Sequence, residues 1–119
     1  MDELREVTVT PDRYVTYRYA GASGDYNPIH LDDEFARSVG PPGRILHGLW
    51  TMAQVARVHG EAAGDPLALK SLSVQFRGLG VPEKEITITS KPRGDGEFDT
   101  EAVQDGNKLV RRGKAVLRI

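Results

Sequence analysis

The stretch from Ile45 to Gly64, ILHGLWTMAQVARVHGEAAG, is the longest periodic segment of the 119-residue chain, and the period changes beyond it. Leu46, Leu49, Met52, Ala53, Ala56 and His59 fall near helical spacing, while Trp50, Val55 and Val58 widen the apolar surface. A surface that wide predicts a helix wrapped by other structure, and Gly64 closes it. From residue 67 the period is two. Leu72, Val74 and Phe76 alternate, as do Ile86 and Ile88, and then Ala115, Leu117 and Ile119. The turn signals GLGVPEK, PRGDGE and QDGN separate these runs, the last being a strong hairpin signal. Four consecutive strands with short turns predict an antiparallel meander. With one long buried helix on a sheet face, the expected class is α+β.

The remaining segments fit around that frame. VTVT at 7–10 has the β-branched composition of a strand. TPDRYVTYRYAGAS predicts a helix capped by Thr10, with Pro11 at its first position, Asp12 at the positive end of its dipole, and Gly21 and Gly24 ending it. LDDEFARSVG predicts a short helix that starts at Asp32 or Asp33 and stops at Gly40. No repeat or linker divides the chain, so residues 1–119 are expected to form a single domain.

Composition narrows the partners. The net charge is −1 with Lys and Arg dispersed, which argues against nucleic acid. No run approaches the roughly 18 apolar residues of a membrane span, and the acidic start MDELREVTVT lacks the apolar core of a signal peptide. The absence of cysteine excludes thiolate chemistry and fits a cytoplasmic protein, the expected location.

GASGDYNPIHLDDE, residues 21–34, carries the chemistry. Pro28 drives Asn27 into an extended conformation and fixes its own φ, so Asp25 and His30 are held in one relative geometry. An ionised carboxylate and an imidazole that titrates near neutrality suit acid–base work around one water. Downstream, LHGLW puts Gly48 at the start of the long helix, where backbone N–H groups are unpaired and a missing side chain lets a ligand oxygen approach. An acid–base pair and an oxyanion site together point to proton transfer α to a carbonyl.

YAGASGDYNPIHLDDEFA followed by ILHGLWTMA resembles the MaoC-like dehydratases, also called hydratase 2 or R-specific enoyl-CoA hydratases, and is most similar to actinobacterial (3R)-hydroxyacyl-ACP dehydratase subunits. The resemblance covers most of residues 14–80. It implies a hot-dog fold, with an antiparallel sheet wrapped around a long central helix. It also implies a lyase of fatty acid metabolism that hydrates trans-2-enoyl thioesters or dehydrates (R)-3-hydroxyacyl thioesters. The partner would be an acyl-CoA or acyl-ACP substrate, with no cofactor and no metal. The catalytic residues carry over to Asp25 and His30, and the oxyanion glycine to Gly48. In one respect the chain departs from the family: many R-specific hydratases support the aspartate with a serine two turns into the long helix, where Ala56 stands here.

Asn27, His47 and Tyr26 are the substrate-binding candidates. Each has a plainer role beside it: Asn27 as a turn cap, His47 as a residue that orients the turn, Tyr26 as core or cleft wall. His59 is expected to be structural or exposed. Unpaired outer strands and the family resemblance together predict a homodimer or a heterodimer. In that dimer the SGDYNPIH loop of one protomer would face the long helix of the other, so that Asp25 and His30 meet a neighbour's Gly48. A rival function is a non-catalytic or half-catalytic hot-dog subunit of a heterodimeric dehydratase.

Overall fold

The computed structural model describes residues 5–118. Strand β1 (Arg5–Val9) leads to helix α1 (Val15–Ser23), a 3₁₀ turn (Pro28–His30), helix α2 (Asp33–Ser38) and the long helix α3 (Gly48–Ala63). Strands β2 (Leu69–Phe76), β3 (Ile86–Gly94), β4 (Glu97–Gln104) and β5 (Asn107–Leu117) follow. The α+β hot-dog arrangement expected from the sequence is present, a five-stranded antiparallel sheet around a central helix. None of the described helices is long and apolar enough to cross a membrane. Ile119 of the last alternating run lies outside the described residues.

The sheet order is β1-β3-β4-β5-β2, which corrects the simple meander. Strands β3 to β5 are consecutive hairpins, and Asp105 (φ 49°) with Gly106 (φ 76°) forms the left-handed pair that such a two-residue turn requires. Strand β2, however, pairs with β5 rather than β3. The connection at 77–85 therefore has to cross from one edge of the sheet to the far side of the hairpins. Alternation reveals that each run is a strand but carries nothing about its neighbour. Gln104 fixes the crossover, accepting the Val81 N–H at 2.8 Å and donating to the Val81 and Lys84 carbonyls at 2.9 Å.

The first helix starts later than expected. Pro11 gives its carbonyl to the Glu83 N–H (2.7 Å), which keeps this part of the chain out of the helix. Asp12 accepts the Tyr14 N–H (2.8 Å) and pairs with Arg18, so it forms a turn ahead of the helix rather than its first residue. The helix runs through Gly21 and stops at Gly24 (φ 79°). In α2 the choice resolves to Asp32, whose side chain accepts from Glu34 and Phe35, and Val39 rather than Gly40 closes the helix.

The inward stripe of α3 is Thr51, Val55, Val58 and His59. Val55 and Val58 pack on Ile86, Ile88, Ala102 and Val110 of the sheet. Leu49 is exposed, and so is Ala53, contrary to the stripe read from periodicity. When apolar residues occupy most of a helix's circumference, spacing cannot say which arc its own sheet covers.

His59 is structural and fully buried rather than exposed. Its Nδ1–H donates to the Val55 carbonyl at 2.8 Å, leaving Nε2 to accept from the Ser90 hydroxyl at 2.8 Å, which bolts α3 to β3. Burial pushes its pKa below the usual value, against the opposing pull of the Val55 carbonyl. The folded state then binds fewer protons than the unfolded chain as pH falls below about 6.5. Stability contributed by neutral His59 is therefore present above that pH and lost below it, at no more than about 1.4 kcal/mol per pH unit. Urea midpoints of the wild type should fall between pH 7.5 and 5.5. His59→Gln should start lower and fall less, and equal slopes would remove His59 as the source.

Candidate active site

Each site residue is held by a local feature of its own segment. Asn27 accepts the Ile29 N–H at 3.1 Å and caps the 3₁₀ turn that Pro28 opens, and His30 ends that turn. The oxygen that could meet a substrate is thus engaged in the turn. Asp25 accepts the Asn27 N–H at 3.2 Å through Oδ1, which leaves Oδ2 directed at His30. Asp32 and Asp33 then separate in role. Asp32 caps α2, whereas Asp33 receives the Arg44 N–H (2.8 Å) and guanidinium (2.9 Å). Those contacts, the backbone N–H first, hold the Asp33 carboxyl below the usual carboxylate range. Arg44 also lies over the Tyr17 ring and donates to the Arg13 carbonyl, fastening α1 to the segment before α3.

His30 is the best-defined group. Its Nδ1 lies 2.9 Å from the Ile45 carbonyl, which can only accept, so Nδ1 carries a hydrogen and, in the neutral ring, Nε2 presents the lone pair. Nε2 faces Asp25 Oδ2 at 3.7 Å. That is too far for a direct hydrogen bond, and it places two acceptors toward one point. A water donating one hydrogen to each satisfies both.

His47 is 3 % exposed and stacks on His30, with ring centroids 3.8 Å apart and planes at 19°. Its Nε2–H donates to the backbone carbonyl of Asp25 at 3.1 Å. Asp25 is held by the Asn27 N–H at its carboxylate, by Ser23 Oγ at its N–H and by His47 at its carbonyl. Tyr26 is 61 % exposed and does not line the cavity described below.

His30, Gly48, Thr51, Phe76, Leu79 and Gly80 are among the residues around a cavity of about 190 Å³. The N–H groups of Trp50 and Thr51 share the His47 carbonyl, so those of Gly48 and Leu49 have no intrahelical acceptor. A Cβ on Gly48 would stand 3.2 Å from the Phe76 ring, so glycine is the residue that leaves room at this helix start. His30 of the loop and Gly48 of the helix start line this cavity from within one chain. His47 binds both halves together, since it stacks on His30 and is covalently followed by Gly48. Thr51, three residues beyond Gly48 and the polar residue that the sequence offers in place of the helix serine though on a different turn, lines the cavity, as does Phe76, which alternation marks only as a strand residue.

One ligand atom from each of Asp25, His30 and His47 lies within 4.8 Å of the others. The two imidazoles are stacked, however, so their in-plane lone pairs lie in nearly parallel planes with ring centroids 3.8 Å apart and cannot both meet one metal ion at the roughly 2.0–2.1 Å it requires. A larger depression of about 640 Å³ lies among Lys91, Arg93, Asp99 and Lys114 and shares no residue with this cavity.

Residues 1–113 match the family model for the MaoC like domain. The chain is 35% identical over 115 residues to the peroxisomal enoyl-CoA hydratase 2 of Arabidopsis thaliana, covering 95% of this chain and 36% of that protein. It thus spans about a third of that relative's length. Among solved structures, the MaoC-like dehydratase of Phytophthora capsici superposes with a TM-score of 0.89 at 30% identity, over 96% of this chain and 40% of that one. The (R)-hydratase of A. caviae shares the fold, with a TM-score of 0.85 at 21% identity, over 99% and 95% of the two chains.

The three histidines give a direct check of the geometry. Long-range proton–nitrogen spectra at pH 8 should show His30 and His59 as the Nδ1–H tautomer and His47 as Nε2–H. A His30 signal of the Nε2–H form would remove the lone pair that faces Asp25.

Proposed function

The chain belongs to the MaoC-like domain family, and from that premise we propose that it interconverts trans-2-enoyl and (R)-3-hydroxyacyl thioesters by adding or removing water. The supporting observation is the pair of acceptors, His30 Nε2 and Asp25 Oδ2, converging at 3.7 Å beside the open helix start at Gly48. In hydration, Asp25 and His30 hold one water and His30 Nε2 takes its proton as the oxygen bonds to Cβ. The π electrons of the alkene move toward the thioester oxygen, and the N–H of Gly48 stabilises the enolate that develops. The proton then passes from the same pair to Cα, completing the addition. Dehydration runs these steps in reverse.

The cavity, at about 190 Å³, is below the roughly 300 Å³ of ordinary small-molecule pockets. It suits the reacting end of the substrate. The acyl or carrier arm would lie along the exposed rim made by Leu49, Phe76 and Leu79. That same apolar rim, next to edge strand β2, supports assembly with a second copy as a homodimer. The cysteine-free composition supports a cytoplasmic location.

Hydration of crotonyl-CoA, followed by loss of its enoyl ultraviolet absorbance, tests the chemistry. Asp25→Asn and His30→Ala should each lower kcat by roughly 10²–10⁴-fold. Rates equal to wild type in both would end the assignment of these residues.

The oxyanion role is separable from packing. His47 has φ −69° and ψ 131°, a conformation that accepts a following proline, and the first position of a helix tolerates proline while losing only its N–H. Gly48→Pro should lower kcat by roughly 10²–10³-fold more than Gly48→Ala, which crowds Phe76 but keeps the donor. Equal losses would assign the effect to crowding. For the assembly, sedimentation should give a species of twice 13.1 kDa, and a lone 13.1 kDa species at micromolar concentration would overturn the dimer.

A further inference from the structure

His47 occupies the N-cap of α3, a position that favours Ser, Thr, Asp or Asn, yet it makes no side-chain cap bond. Its ring lies between Tyr19, with centroids 4.8 Å apart, and His30, at 3.8 Å. With 3 % of its surface exposed, it has no free face for a substrate. A phenylalanine would fill the same slot, and an aspartate would cap the helix. Only a ring with an N–H can stack on His30 and also donate to the Asp25 carbonyl at 3.1 Å. Its Nδ1 is buried with no hydrogen-bond partner among the described residues, a cost that packing alone does not explain.

We propose that His47 is a positioning residue of this site. One ring face sets the plane of His30 and Nε2–H sets the backbone of Asp25, so that Oδ2 and Nε2 keep the separation a single water spans. Asp25 needs this help. Its side chain is 53 % exposed, and among the described residues its other ties are local, the Asn27 N–H to its carboxylate and its own N–H to Ser23 Oγ at 3.1 Å. The stack restrains a ring whose remaining anchor is one bond to the Ile45 carbonyl. Because His47 directly precedes Gly48, the same residue keeps the helix start in register with the pair. The expectation of His47 as a substrate contact gives way to this role.

The kinetic half of the proposal rests on the hydratase reading, so the test carries a readout that does not. His47→Phe keeps the stack and loses the donor, and His47→Gln keeps a donor near the Nε2 position and loses the stack. Each should lower kcat for crotonyl-CoA by up to roughly 10²-fold at an unchanged KM, since misplacement of about 1 Å can cost that much. The His30 ring nitrogens should move in His47→Gln toward the averaged signals of a ring that samples both tautomers, while those of His59 stay fixed. A rise in KM at unchanged kcat would make His47 a substrate contact and overturn the proposal. A lower melting temperature with kcat and the His30 signals unchanged would make it a core filler and overturn it equally. If the wild type hydrates no enoyl thioester, the hydratase reading falls, and the His30 signals alone then decide the positioning role. His47→Phe keeps the ring volume and supplies the answer if the glutamine variant does not fold.

Discussion

Four residues of extended chain, Arg44 to His47, hold this molecule's functional end together. Arg44 pairs with Asp33, and the Ile45 N–H donates to the Ile29 carbonyl at 3.0 Å. The Ile45 carbonyl accepts from His30, the Leu46 N–H donates to Gly80 at 2.9 Å, and His47 reaches Asp25. Ile45, Leu46 and His47 are all buried, so each of these bonds is shielded from competing water. One short segment thereby registers the histidine loop, the crossover at 77–85 and the start of α3 against one another. A shift of this segment would disturb the tautomer of His30, the backbone of Asp25 and the wall of the cavity together.

Behind that segment the fold supplies rigidity rather than chemistry. The packing of Val55 and Val58 on the sheet, and the bolt from His59 to Ser90, fix where α3 begins relative to β3 and β5. Gln104 does the same for the crossover from the opposite side. The candidate site groups sit on a loop and a helix start, places that leave polar atoms unsatisfied in a controlled way. An N–H at the first turn of α3, a lone pair on His30 and a carboxylate oxygen on Asp25 are all unspent, and all lie at the edge of a packed core.

The two histidines of the site divide the work by their hydrogen bonds. His30 gives its Nδ1–H to a carbonyl and turns a lone pair toward Asp25, whereas His47 gives its Nε2–H to the backbone of that same aspartate. Identical side chains acquire different functions because their neighbours hold different protons in place. His59 follows the same rule in the core, where the outcome is a structural clamp.

Much of this could be read from the residues alone. The change of period after Gly64 marks the α+β class, the DG pair marks the β4–β5 hairpin, and Asp25, Pro28 and His30 mark a stiff loop that brings a carboxylate to an imidazole ahead of the helix start at Gly48. These are local properties, fixed by side-chain volume, backbone restriction and spacing along a few residues. The pairing of β2 with β5 was not legible, because alternation does not encode a partner. Nor was the buried arc of α3, since apolar residues surround most of that helix. The roles of His47 and Ile45 depend on a carbonyl 15 residues from one histidine and a stacked ring that meets its partner only in the folded chain. Contacts between distant segments arise from packing of the whole chain, and no short stretch of sequence contains them.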